Sequence, residues 1–335
     1  MSIEDIYFQP QYGKLYETIE NGKCEVFEHC SELGTIYHLF IKRQIPIKVY
    51  NRVWYDLVTP YGYGGPVVVS CAEGNNSLLV NEYKQAFGRY CQENNIVSEF
   101  IRFHPVMNNH INFKEVYDIE FNRKTIYIDL ESDEHIWGNM KSTSRNRIRK
   151  ATALNMQVVN DSSQKSLLKF IELYYKTMDK HNAASSYYFH QTYFNNLMNL
   201  NKTSKIFSAV LNGKTIASMI VLIGKDLIHY HLGATDPDYY SLSPNNILFY
   251  EAAKWGAKAG FQKFHLGGGY SHAADGVLHF KQTLNRHGGL NFYIGKKIWN
   301  LEIFNRLVEA RSMEKDFDKN SSFFPVYRNS VVANR

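Results

Sequence analysis

The dipeptide Asn212-Gly213 lies between two runs rich in apolar and β-branched residues, Lys205–Leu211 and Lys214–Ile223. A two-residue hairpin needs positive φ at both central positions, which Asn-Gly supplies, so the pair predicts two antiparallel strands in immediate succession. Leu227–Leu232 reads as a third strand. Ser243-Pro244 then predicts a helix start, with Ser as N-cap and Pro at the first helical position, and the helix runs to about Ala259 and stops at Gly260. Lys263–Leu266 is a short strand broken by Gly267-Gly268-Gly269. A helix at Val277–Leu284, a strand at Leu290–Ile294 and a helix at Ile298–Ser312 follow. Upstream of the hairpin, Asp133 is the expected N-cap of a helix, and the basic stretch Lys141–Ala151 continues it after a break. Met156–Val159 reads as a strand, and Leu167–Met178 and Gln191–Leu200 as helices.

The first half is a shorter version of the same pattern. Glu25–Phe27, Thr35–Ile41 and Val53–Thr59 are expected strands, followed by the loop Thr59–Pro66, a helix at Leu78–Glu93 and a strand at Ile96–Phe103. Val116–Phe121 and Lys124–Leu130 read as two strands joined by a tight turn at Asn122-Arg123. The expected fold class is α/β (α+β): tandem domains of similar build, with mixed, mainly antiparallel sheets flanked by helices. The boundary is placed near Glu131–Asp133. This gives a first domain over 1–131, a second over 132–315 and a tail, 316–335, packing back on the first.

Composition bounds the function classes. The 335 residues are 44% hydrophobic and 21% charged, which predicts a packed core and excludes disorder. Aromatics reach 15%, with 24 Tyr and 21 Phe, which suits sites for sugars, peptides or nucleotides and equally suits a plain compositional bias. A net charge of +6 fits an anionic small substrate, a pyrophosphate or tRNA. Cys24, Cys30, Cys71 and Cys91 form no CxxC pair and are read as reduced thiols. The opening MSIEDIYFQPQYGK has no apolar h-region, and no run of about 18 apolar residues exists, so neither a signal peptide nor a membrane span is expected and the compartment is read as cytoplasmic. GxGxxG and HExxH are both absent, which disfavours a dinucleotide enzyme and a zinc site.

Four stretches carry possible chemistry. In Lys263–Gly289 a strand enters three glycines, and Leu278-His279-Phe280-Lys281 follows on a helix. A cation at Lys281 would stabilise a phosphate or an acyl-transfer oxyanion, and the alternative is a surface lysine on an amphipathic helix. His229, Tyr230 and His231 lie on a strand, so the two histidines share one face and Tyr230 takes the other. Any of the three can serve as acid or base at a cleft, or the histidines are simply packed. The loop Tyr61, Gly62, Tyr63, Gly64, Gly65 offers backbone N–H groups to a phosphate, or is a turn whose glycines supply positive φ. Arg145, Arg147, Arg149 and Lys150 form a basic cluster for phosphates or a solvated helix face.

The element order of the second half is that of a GNAT acyltransferase domain. Gly268, Gly269, Asp275, Leu278, Phe280 and Lys281 resemble the "GG…D.L..FK..F" pattern of the FemAB-like family of aminoacyl- and acyltransferases. Trp137 with Ser144–Ala151, Tyr175–His181 and His231–Gly260 fit the same family, so the resemblance covers roughly residues 130 to 295. It implies tandem GNAT-like domains, an acceptor-binding first domain, and an N-acyltransferase acting on an amine of a peptidoglycan precursor peptide or of a surface-polysaccharide amino sugar. It implies Lys281 beside the acyl donor, within the pattern that includes Gly268, Gly269 and Phe280, whereas Tyr230, His229 and His231 are catalytic candidates from their strand position, since the family often lacks a dedicated base. Tyr61–Gly65 and Lys180 are implied at the acceptor, and Arg145 of the basic cluster is a further binding candidate, for tRNA phosphates or the acceptor pyrophosphate. No bound cofactor is implied. The co-substrate is acyl-CoA or aminoacyl-tRNA, and the partners are a small or nucleotide-linked envelope precursor, tRNA and a peripheral membrane contact. Tyr240–Ile247 stands where acyl-CoA enzymes carry Q/R-x-x-G-x-G/A and has neither glycine nor arginine, which counts against ordinary acetyl-CoA without excluding it. The alternative is a noncatalytic GNAT-like module that binds a nucleotide-sugar or RNA.

Overall fold

The computed structural model describes residues 3–180, 182–183, 187–200, 203–269, 275–314 and 317–329. In chain order the elements begin with α1 (Pro10–Lys14), α2 (Glu17–Glu20), β1 (Gly22–Ser31), β2 (Gly34–Gln44), β3 (Tyr55–Val58), β4 (Val67–Cys71), α3 (Asn76–Glu93), β5 (Ile96–Arg102) and β6 (Asp118–Asp129). Next come α4 (Asp133–Asn139), α5 (Ser142–Ala153), β7 (Gln157–Asn160), α6 (Gln164–Lys180), α7 (Gln191–Met198), β8 (Ser204–Leu211), β9 (Lys214–Ile223) and β10 (Leu227–Thr235). The chain ends with α8 (Pro244–Lys258), β11 (Lys263–Gly268), α9 (Gly276–Leu284), β12 (Gly289–Ile298) and α10 (Leu301–Ser312). No helix of the described residues is long and apolar enough to cross a membrane.

Two compact units result: Met1–Asn122 with Phe292–Arg335, and Arg123–Asn291. In the first unit β2 pairs antiparallel with β1, β3 and β4; β3 and β5 are parallel; and the second half of β12 lies antiparallel on β5, from Ile294↔Arg102 to Ile298↔Ser98. Helix α3 crosses between the parallel strands. Its buried residues Leu79, Tyr83, Phe87 and Cys91 recur every four positions, one apolar stripe against Ile36, Phe40 and Ile101 of the sheet. A second cluster joins Trp54, Ile45 and Val97 to Ile303, Phe304 and Leu307 of α10. Tyr327 shares a hydrogen bond with the Ser98 hydroxyl, and Arg328 pairs with Asp56.

The second unit repeats this plan. β8, β9 and β10 form an antiparallel meander, α8 crosses over, and β11 returns parallel to β10. The second half of β6 closes the sheet antiparallel to β11, from Asp129↔Lys263 to Thr125↔Gly268. The α8 residues Ile247, Leu248, Phe249, Ala252 and Ala253 are buried in the core with Phe264, Leu266 and Met219. The Asn212-Gly213 turn holds φ of 49° and 76°, as a two-residue hairpin requires.

The compact units divide differently from the sequence boundaries. The chain changes unit inside β6 and inside β12, not near residues 131 and 315, and α10 packs in the first unit. Neither crossing carries a composition signal, because a strand shared end to end needs no turn. Accordingly Asn122-Arg123 is not a turn: one strand runs through it. Ser132, not Asp133, caps α4, its Oγ accepting from His135 N–H at 3.1 Å. Ser243 precedes α8 at φ 53° and makes no side-chain cap bond. β4 and the two short N-terminal helices lay outside the sequence reading.

Candidate active site

The parallel pairing of β10 with β11 lasts three residues, Leu227–His229 against Lys263–His265. Both strands then carry a bulge. Tyr230 pairs with Val221 but Leu232 with Ile220, leaving His231 as the extra residue; on β11, His265 pairs with Tyr127 but Gly267 with Ile126. Bulges bend a strand and raise its twist. β10 continues to Thr235 with β9 along one edge, while its other edge has no further strand partner among the described residues. Thr177 of α6 takes over at the far end, its Oγ1 accepting from Thr235 N–H at 3.2 Å.

A cleft of ≈ 220 Å³ opens in this fork. Tyr230, Gly233, Ala234 and Thr235 of β10 form one wall with Ser218 and Met219 of β9. Thr177, Tyr240, Asn245 and Phe249 form another, and Val277, Phe280 and Lys281 of α9 close it. Asp275 starts α9, its Oδ1 accepting from Val277 and Leu278 N–H at 3.0 and 2.9 Å. Lys281 is only 6% exposed. Its Nζ donates to the Gly268 carbonyl at 2.6 Å and stands 5.1 Å above the Tyr230 ring. Burial pulls its pKa from the ordinary 10.5 down to about 7, with Asp275 opposing the change. The Tyr230 ring packs on Phe249 at 4.9 Å. A Cβ on Gly233 would lie 2.3 Å from the Tyr230 hydroxyl, so glycine is what lets the phenol lie along the strand. Phe280 meets Phe249 edge-on at 5.7 Å. Gly269 is tied by its carbonyl to Arg123 Nη1 at 2.9 Å, so the Gly268-Gly269 backbone is bound by two cations of its own chain.

The other sequence candidates fall elsewhere. His229 is fully buried with its ring 5.7 Å from that of His265. His231 shares a 2.7 Å hydrogen bond with the Tyr193 hydroxyl, and burial, helped by His229, lowers its pKa to about 3. Neither histidine lines the cleft. In the first unit, the Tyr61–Gly65 turn is held by its own chain. Tyr12 O–H donates to the Tyr61 carbonyl at 2.7 Å, and Asn109 Nδ2 donates to the Gly64 and Pro66 carbonyls at 2.8 and 2.9 Å. Gly62 and Gly65 hold φ of 98° and 81°, and Tyr63 packs edge-on against Tyr7 and Phe292. Arg145 Nη1 donates to the Met140 and Trp137 carbonyls at 2.8 and 3.3 Å and so caps the end of α4. Lys180 is exposed at the end of α6, and the neighbouring His181 lies outside the described residues.

Thr177, Ser218, Gly233, Asn245 and Phe249 had not been singled out from sequence. Thr177 fell within Tyr175–His181, and Gly233, Asn245 and Phe249 within His231–Gly260, but only as parts of those stretches, and no residue type marks a bulge. A larger open depression of ≈ 650 Å³ lies among α4, α5 and α8. There Arg149 covers the Trp137 ring at 5.4 Å and Lys254 the Tyr250 ring at 5.3 Å. It lacks a buried titratable side chain, so the smaller cleft is the better site for chemistry.

The family model of the acetyltransferase (GNAT) domain matches residues 138–282, a span that includes every cleft residue. Among solved structures, FemX is similar over 88% of this chain and 92% of its own, at 11% identity and a TM-score of 0.69. L-PGS from Bacillus licheniformis is similar over 86% and 92%, at 13% identity and a TM-score of 0.54. No curated protein matches the sequence. At these identities the likeness to the solved structures is one of fold.

Proposed function

We propose that this chain, a FemAB-like GNAT-fold acyltransferase, moves an acyl or aminoacyl group onto an amine of a cell-envelope precursor within the cleft of its second unit. The observation that carries the reading is the buried Lys281 held above Tyr230 where β10 and β11 part. Past His229 the edge of β10 has no further strand partner among the described residues, and such an edge offers backbone groups to an amide-bearing arm, as in strand addition. Acyl-CoA, the co-substrate of GNAT acyltransferases, has such an arm and is the preferred donor. Aminoacyl-tRNA is the second. The donor arm lies along Tyr230–Thr235, with its reactive carbonyl toward Lys281.

The acceptor amine attacks that carbonyl. A C–N bond forms, the carbonyl becomes an oxyanion, and the C–S or C–O bond to the donor then breaks. The Lys281 ammonium stabilises the oxyanion, and in a water-poor cleft such a charge acts with little screening. The proton lost by the attacking amine goes to the departing thiolate or alkoxide, with the Tyr230 hydroxyl placed to relay it. A peptidoglycan precursor peptide and an amino sugar of a surface polysaccharide are the acceptor classes proposed from the family resemblance, and both point to a cytoplasmic enzyme.

Titration of the purified protein with acetyl-CoA and free CoA, followed by transfer assays with amino-sugar and peptide acceptors, tests this. Lys281→Ala is expected to abolish transfer while circular dichroism stays native. Full transfer by that variant overturns the role of Lys281. Binding without turnover on any acceptor favours a noncatalytic module.

A further inference from the structure

Ser98, Phe100 and Arg102 alternate onto one face of β5 in the first unit. The Arg102 guanidinium is half-buried, donates from Nη1 to the Thr59 carbonyl at 2.8 Å, and stands 5.2 Å from the Phe100 ring centre. No acidic side chain of the described residues bridges it. The nearby carboxylates are committed elsewhere. Asp56, fully buried, accepts from Arg43 Nε at 2.9 Å, from the Tyr327 hydroxyl at 3.2 Å and from Arg328. Glu20 accepts from Arg43 Nη1 at 2.8 Å. Arg43 and Arg328 thus take up both carboxylates, and Arg102 is left with no ion pair among the described residues.

Burial disfavours that charge, Glu20 partly offsets the effect and Arg43 adds to it. Arginine does not escape by losing its proton, so a partly desolvated cation with spare N–H donors persists. Tyr61 stands close enough to act on the same charge. Its ring is 36% exposed and stacks on Tyr16 at 6.0 Å, and its carbonyl is fixed by Tyr12. We infer that Arg102, beside Tyr61, binds an oxyanion: a carboxylate or phosphate group of a small molecule takes the open side of its fork. Two parallel N–H···O bonds suit that group, and the ligand supplies the counter-charge that no acidic side chain of the described residues gives Arg102.

The site lies in the first unit and the cleft in the second, so it stands independently of the acyl-transfer reading. The test is calorimetric titration of the full chain at low salt with pyrophosphate and, separately, with succinate. Saturable one-site binding of one probe below about 10 mM is expected, and the probe that binds decides between phosphate and carboxylate. Arg102→Lys keeps the charge but loses the fork, and is expected to weaken binding by about tenfold or more with an unchanged melting temperature. Arg102→Gln is expected to abolish binding, and Lys281→Met to leave it intact. Wild-type affinity in folded Arg102→Lys, loss of binding in Lys281→Met, or saturation by neither probe overturns the inference.

Discussion

Lys281→Met is expected to stabilise the protein, and by an amount that depends on pH. In the folded chain Lys281 releases its proton near pH 7, whereas its ordinary value is 10.5. Between those values the unfolded chain holds more protons than the folded one, so stability rises with pH, by about 1.4 kcal/mol per unit. Below pH 7 both states are charged, and the full cost of burying the ammonium remains. Methionine keeps the length and apolar bulk of the side chain and removes that cost. The variant's advantage over wild type is therefore largest below neutrality and shrinks by roughly 3 kcal/mol between about pH 7 and about pH 9. Thermal melts of both proteins across that window read this as a closing gap on the order of 5–10 °C. Comparison with the variant cancels the titration of every other group. A gap that stays constant with pH refutes the reasoning, because it means that the ammonium is solvated or stably paired in the folded chain.

Gly233→Ala places a methyl where the Tyr230 hydroxyl sits, and is expected to lower transfer at least tenfold with little loss of fold, checked by kinetics and circular dichroism. His231 stays neutral at any working pH, so His231→Gln is expected to leave the pH dependence of kcat/KM unshifted, and a displaced acid limb would place His231 in the mechanism. Asn109→Ala leaves the Gly64 and Pro66 carbonyls without their donor and is expected to cost about 2–4 kcal/mol in urea unfolding.

Much of the second unit was legible because its signals are local. Asn212-Gly213 fixes a hairpin by φ alone, the apolar stripe of α8 has helical period, and Phe280-Lys281 stands in a pattern that can be matched. The cleft itself was not legible. Strict alternation puts His229 and His231 on one face, but the bulge at His231 interrupts it, and a bulge is set by tertiary pairing, not by residue type. Thr177 reaches β10 from a helix 58 positions away, a contact that no periodicity announces. The Tyr61–Gly65 glycines were readable as either a phosphate cradle or a turn, and the Asn109 and Tyr12 contacts that hold the loop's carbonyls come from residues distant in sequence. Arg145 was readable as a basic residue, but its use as a helix cap depends on the break between α4 and α5.

The last strand of each half of the sequence closes the sheet of the other unit, and this gives the chain a definite order of assembly. Every residue of the second unit lies between Arg123 and Asn291, so that unit is complete once the ribosome has released one uninterrupted stretch. The first unit begins earlier and finishes later, because β5 waits for β12, and Asp56 for Arg328. In genetic terms the second unit is an insertion within its companion. A stop codon after the second unit would spare the cleft and leave the N-terminal half unable to finish folding.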